Sequence, residues 1–381
     1  MKTGVRVAVM LVCGVIAVSW ADSVFWHQEP RRPPVYTSHI PHLNWTRVVD
    51  PLYLTSTAPI IGPDETLYIA SAGSVHALDS SGAVRWEYRV EATAPISSGS
   101  LSQDGEGNLY FASGGGLYSL SPSGEKRWQV NCPRATLARN SRGYASDENA
   151  LYTMCDTHFV GLSKTDGHEI WRLPNFEAQT ASPVTLEPLM QRTGNIVFSR
   201  DSDQQIVAVD KRGNLLWVFP PEKTGTAYSL GPGPDDMIYA RSFSGELFAL
   251  YCNGAMKWRF DGAGGVNENP VRALDGTQYV IAAQGPLYAL APNGRRKWIF
   301  LLPPSTTVMG YTSPVLAPDG TIYQLLEDRV IALSPKGKLL AQLGLPGEPR
   351  HRGFLALSPS GTLYAVMDNS LVHAIAVGKR Q

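Results

Sequence analysis

Short apolar runs separated by tight, glycine-bearing turns cover this chain from about residue 42 almost to its end, and the runs repeat. In the stretch Val75-His76-Ala77-Leu78-Asp79-Ser80-Ser81-Gly82-Ala83-Val84-Arg85-Trp86, an alternating strand meets a turn closed by Gly82. A second strand follows and carries a tryptophan four residues after that glycine. The arrangement recurs at Leu117–Trp128, Phe159–Trp171, Ile206–Trp217, Leu247–Trp258 and Leu287–Trp298. From Trp86 onward the steps are 42, 43, 46, 41 and 40 residues. A fixed period in this range marks one repeat architecture, not a string of independent domains.

Each repeat reads as four strands. A Pro-led strand comes first, as in Ala94-Pro95-Ile96, Ser182-Pro183-Val184, Asn269-Pro270-Val271 and Ser313-Pro314-Val315. A hairpin turn such as Pro318-Asp319-Gly320 follows, where glycine supplies a positive φ at low cost. The second strand starts near Leu67, Leu109, Leu151, Ile196, Ile238, Gln278, Ile322 and Leu363; the third and the Trp strand complete the unit. Short, evenly spaced, β-branched and aromatic strands predict an all-β closed array, and four per repeat is the blade of a β-propeller. The seventh repeat has Ala341 at the Trp position, and the eighth ends after its third strand. The missing strand is available at the other end, where Asn44-Trp45-Thr46-Arg47-Val48-Val49 resembles Arg85 to Val90 and Trp45 lies 41 residues before Trp86. Residues 43–49 are therefore expected to complete the last blade of an eight-bladed ring and remove its open edge.

The pattern Ala-Leu-Asp-x-x-Gly-x-x-x-Trp, seen at Ala77–Trp86 and, with Val209 for Leu, at Ala208–Trp217, resembles the tryptophan-docking repeat of pyrroloquinoline-quinone (PQQ)-type propellers. The resemblance covers about residues 43–378. It implies that Trp45, Trp86, Trp128, Trp171, Trp217, Trp258 and Trp298 pack between neighbouring blades. The turn glycines Gly82, Gly124, Gly167, Gly213, Gly254 and Gly294 place them. A WD40 repeat fits less well, because no Asp follows any of these tryptophans. The superfamily holds enzymes and non-enzymes, so fold alone does not assign a function. Its quinoprotein dehydrogenases hold PQQ and Ca²⁺ on the axis and carry an adjacent Cys pair and long insertions. This chain has no adjacent Cys pair and is almost wholly consumed by plain blades, which is similar to the non-enzymatic BamB-like branch.

Around the repeats, residues 1–21 read as a secretory signal. Lys2 and Arg6 precede the apolar run Val7 to Val18, and Ser19-Trp20-Ala21 offers small residues for cleavage. The run is short for a bilayer span, and no transmembrane segment is expected after its removal. Cys13 lies inside the apolar run and is not a usable lipidation site. Residues 22–41 form a Pro-rich linker, 42–378 the propeller and 379–381 a tail. Lys plus Arg and Asp plus Glu are each 33, so no charge excess points to nucleic acid or an anionic membrane. Three cysteines remain after the signal: Cys132 and Cys155 are the candidate disulfide that export would permit, and Cys252 is expected as a free thiol.

Candidate chemistry is sparse. Acidic turns such as Asp104 to Asn108 imitate the start of a Ca²⁺ loop but lack the bidentate Glu at the right distance. His158, His168, His351 and His373 stand singly, and no Gly-x-Ser-x-Gly elbow is present. No catalytic, cofactor-binding or metal-binding residue is assigned, and no cofactor is expected. Propellers usually bind at the face carrying the blade-to-blade and second-to-third-strand connections. There the candidates are Arg134, Asn140, Arg200, Arg241, Asn267, Glu268, Asn269, Tyr311, His351 and Arg352, a polar mixture suited to recognition. The expectation is an exported, secreted or periplasmic, monomeric, non-catalytic propeller that binds a protein partner or a surface glycan as a scaffold. The alternative is a quinone-dependent dehydrogenase or a polysaccharide-acting enzyme on the same ring.

Overall fold

The computed structural model describes residues 41–49, 58–71, 73–90, 96, 101–132, 145–146, 148–155, 158–172, 189–200, 205–219, 228–242, 245–261, 270–282, 286–302, 313–347, 353–367 and 371–377. They form eight four-stranded antiparallel sheets. Blade 1 runs Ile60–Ile61, Leu67–Ala70, Ser74–Leu78, Val84–Arg89, and blades 2 to 7 repeat this order in sequence. In blade 8 the strands Gly353–Leu357, Thr362–Met367 and Leu371–Ala376 are joined by His42–Val48, which pairs antiparallel with Leu371–Ala376. The ring is closed by the N-terminal strand, as the repeat count predicts.

The burial pattern explains why these runs become sheets rather than helices. Second and third strands, such as Leu67–Ala70 and Ser74–Leu78, are buried on both faces, because each blade packs against two neighbours. The fourth strands alternate: Val84–Arg89 and Leu339–Gly344 half-bury one set of side chains and turn the rest to solvent. They form the rim. The first strands are short, only two residues in blades 1, 2, 3, 4, 6 and 7. In blade 2 the Pro-led segment contributes a single bridge, Ile96 to Ser113, while the first strand forms later, at Ser102–Gln103. In blade 4 it is Leu189–Met190, and Ser182-Pro183-Val184 lies outside the described residues.

One irregularity recurs in every blade. The register between the third and fourth strands shifts by one residue directly beside the Trp position, as at Ala77/Leu78, Ala249/Leu250 and, in blade 8, Leu43/Trp45. The residue facing each Trp across the ladder is small: Ala77, Ser119, Gly161, Ala208, Ala249, Ala289 and Ala374. A bulge bends its strand and re-aims a side chain. The small partner leaves the indole room to lie over its own sheet and reach the next blade.

Candidate functional site

The tryptophans form a ring of contacts between blades. Trp45 Nε1 donates to Ser80 O at 3.0 Å, Trp86 to Pro122 O at 3.0 Å and Trp128 to Lys164 O at 2.9 Å. Trp217 donates to Cys252 O at 2.9 Å, Trp258 to Pro292 O at 3.0 Å and Trp298 to Pro335 O at 2.9 Å. Each acceptor lies in the turn between third and fourth strands of the following blade. Beneath the indole sits that turn's glycine: a Cβ on Gly254 would lie 2.5 Å from Trp217 Cε3, and one on Gly82 would lie 3.1 Å from Trp45. These turns need glycine twice over, for the positive φ (81° at Gly254) and for the indole's approach. Gly213 has the same backbone conformation, with φ 83°. Trp171 lies edge-on to Tyr152 and Phe159 of its own blade and packs against a cluster to which blade 4 contributes Ile196, Phe198, Val207 and Val209.

Of the ten candidate face residues, Arg134, Asn140, Asn267, Glu268, Asn269, Tyr311, His351 and Arg352 lie outside the described residues. Arg200 ends its strand opposite Gln205. Arg241 is half-buried on the second strand of blade 5, opposite Leu247 and Ser229. Cys132 and Cys155 form a disulfide with Cα atoms 4.8 Å apart. It joins the end of the fourth strand of blade 2 to the end of the second strand of blade 3. Cys252 is a correction: expected as a free thiol, it is disulfide-bonded.

A pocket opens on the opposite face, among the turns of blades 5 and 6. It encloses about 280 Å³, and its walls include Met237, Tyr239, Lys257, Arg272, Asp275 and Gln278. Tyr239 is only 1% exposed and Gln278 2%, yet the Tyr239 hydroxyl and Gln278 Oε1 have no hydrogen-bond partner among the described residues. Burial pushes the Tyr239 phenol up to about 12, against a lowering pull from Arg272. It therefore stays a neutral O–H donor at any physiological pH.

Other blades fill the equivalent place themselves. In blade 1, Thr66 Oγ1 donates to Asp64 Oδ2 at 2.6 Å, and Arg85 reaches both Asp64 and Thr66 at 2.5 Å. In blade 2, the Tyr110 hydroxyl donates to Asp104 Oδ2 at 2.7 Å and receives Arg127 at 3.2 Å. In blade 6, Asp275 accepts from Thr277 and from Lys297. Blade 5 carries Met237 at the Thr position, and its turn has a different backbone, with positive φ at Asp235 (52°) and Asp236 (57°). Asp236 turns to the blade 4 residue Arg192, accepting from its backbone N at 3.0 Å and its Nε at 3.3 Å. Asp235 stands at the rim with its side chain 94% exposed. Lys257 is left with the Met237 thioether at 3.5 Å and a position 5.6 Å from the Tyr251 ring centroid. Sequence reading missed this pocket because Tyr239 looks like any second-strand packing tyrosine. The available signal was Met237 where blades 1, 6 and 7 have Thr66, Thr277 and Thr321.

Among the described residues no three His, Cys, Asp or Glu side chains converge to hold a metal ion, and the Cys132–Cys155 disulfide spans 23 residues, unlike an adjacent pair. Among the described residues no helix is long and apolar enough to cross a membrane.

Comparison with known proteins agrees with the geometry. BamB from Moraxella catarrhalis superposes with a TM-score of 0.66 at 18% identity, covering 88% of this chain and 100% of that one. The C-terminal WD40 domain of Sif2 gives 0.67 at 10% identity, covering 88% and 99%. Sqt1 of Saccharomyces cerevisiae gives 0.66 at 11%, covering 88% and 98%. At these identities the likeness shows the propeller fold alone. No curated protein sequence matches the chain. A family profile does, over residues 113–231 and 213–379, and its description is "Outer membrane protein assembly factor BamB". With that match over more than half its length, the chain belongs to the BamB family of PQQ-like β-propellers.

Proposed function

We propose that this chain is an exported, non-catalytic propeller that serves as a protein-binding scaffold in the cell envelope. The observation that carries the reading is the outer strand of blade 4, Leu215–Phe219. It is the edge of its sheet, and it turns Leu215 (62% exposed), Leu216 (45%) and Val218 (36%) to solvent. The turn that receives Trp217 adds the exposed Tyr251, and the outer strand of blade 5 begins with the exposed Met256. Natural edge strands are usually blunted by charge, whereas an apolar edge is a template for another chain. A protein partner suits such a strip better than a surface glycan, which would call for polar groups beside exposed rings. Export is supported by the Cys132–Cys155 disulfide, because such bonds persist in oxidising compartments, and by the family's outer-membrane description.

The test is site-specific photo-crosslinking in the native cell, with the reactive residue at Leu216 and a control at Arg89, on the exposed rim of blade 1. A discrete crosslinked protein at Leu216, lost in Leu215→Glu/Val218→Glu and not seen at Arg89, is the expected result. Equal labelling at both positions, or none at Leu216, would overturn it.

A further inference from the structure

We propose that the pocket between blades 5 and 6 binds a carboxylate that carries a neighbouring N–H, as found at a peptide C-terminus or in an N-acylated amino acid. The repeat supplies its own reference for this reading. In blades 1 and 6 a turn carboxylate meets a threonine hydroxyl and a fourth-strand cation, and in blade 2 it meets the second-strand tyrosine hydroxyl. Blade 5 keeps the tyrosine, Tyr239, and the cation, Lys257, but its own carboxylates are turned away toward Arg192 and solvent. Arg272, from the first strand of blade 6, adds a second cation to the same pocket.

The groups left over define the ligand. The Tyr239 hydroxyl is a buried donor awaiting an acceptor, and a buried polar group without a partner costs free energy until a ligand satisfies it. Lys257 and Arg272 supply charge for an anionic acceptor, and Arg272 can meet a carboxylate in bidentate fashion. Gln278 Oε1 is the opposite kind of group, a buried acceptor that needs an N–H or O–H from the ligand. A bare anion such as acetate answers the first three and leaves the fourth unmet. An acylated α-carboxylate answers all four. The carboxylates in the wall do not cancel the cations: Asp275 is held by Thr277 N at 2.9 Å, Thr277 Oγ1 at 2.8 Å and Lys297 at 3.4 Å, and Asp235 points out beside Arg192 at 3.7 Å. The pocket's lining shares no residue with the Leu215–Phe219 edge or with Tyr251 and Met256, so the inference does not depend on the scaffold reading.

Calorimetric titration of the full chain tests it with four probes: acetate, N-acetylglycine, a short peptide with a free C-terminus, and the same peptide amidated. Binding by the free-ended peptide, with at least about a tenfold loss on amidation, is expected, since a hydrogen bond to a charged group is worth that much. N-acetylglycine matching the peptide would place the source among free small acids, and N-acetylglycine lagging it would place the source at a chain end; either supports the proposal. Lys257→Met and Arg272→Met change surface side chains and should each weaken binding about tenfold with the melting temperature unchanged. Tyr239→Phe should do the same by removing only the hydroxyl. Equal binding of the amidated peptide, no binding by any probe, or affinities untouched by Lys257→Met and Tyr239→Phe would overturn it.

Discussion

The junction between blades 5 and 6 and the junction between blades 7 and 8 do the same job with different chemistry. At the first, Trp258 lies on Gly294 and donates to Pro292 O, while Tyr239 tilts against the indole with ring centroids 5.9 Å apart. At the second, Ala341 stands where the Trp would be, facing Ala332 across the ladder. Blade 8 has no turn between its third and fourth strands, because those strands come from opposite ends of the chain. An indole would find no turn glycine there to receive it. Aliphatic contacts take over: Leu325, Val330, Leu363, Ile375 and Val377 form one buried cluster with Ala341, Leu343 and Leu345 packed against it. A docking tryptophan is therefore a property of a pair of blades, and the chain drops it where the receiving half is missing.

The largest effect should come from removing the closing strand. Deleting residues 42–48 exposes the edge of Leu371–Ala376 and removes Trp45 from Gly82, and is expected to cost more than about 4 kcal/mol. Thermal unfolding measures the loss, and a synthetic peptide of residues 41–49 should restore part of it. Next is Trp258→Ala, which empties a buried site and should cost about 3–5 kcal/mol in chemical denaturation. Gly254→Ala puts a Cβ 2.5 Å from Trp217 in a left-handed backbone and should cost about 2–4 kcal/mol. At the seam, Ala341→Trp should add no stability, since it has no turn to meet; a raised melting temperature would show that the receiving turn is dispensable.

The seam also carries a titration. His373 is buried, shares a hydrogen bond of 2.9 Å with Thr46 Oγ1 of the closing strand through Nδ1, and leaves Nε2 without a partner among the described residues. Burial pushes it down to about 4 from 6.5. A base whose folded pKa is depressed costs the fold nothing while it is neutral in both states, so stability is full above about pH 6.5. It falls as pH drops from 6.5 toward 4, by up to about 3 kcal/mol, and is flat below. Denaturation midpoints measured across that window should show the slope, and His373→Phe should flatten it.

Much of this architecture was legible in the residues. The period and the turn glycines are local consequences of one repeated packing problem, so they recur visibly. The closing strand was readable because Trp45 keeps the register across the chain ends. The pocket was not, because it arises from a failure of the repeat. Met237 in place of threonine and the outward turn of Asp235 and Asp236 matter only through what they leave unpaired in space. Nothing in the local sequence of its turn distinguishes Cys252, which is disulfide-bonded, from the free thiol expected there.

Hydrogen exchange of the closing strand tests the account most directly. If His42–Val48 holds the ring shut, the amides of that strand bonded to Leu371–Ala376 exchange only with global unfolding, at the same free energy as the third strands of blades 1 to 7. Exchange of those amides through local fraying, while the other blades stay protected, would contradict a ring whose integrity depends on its N-terminal strand.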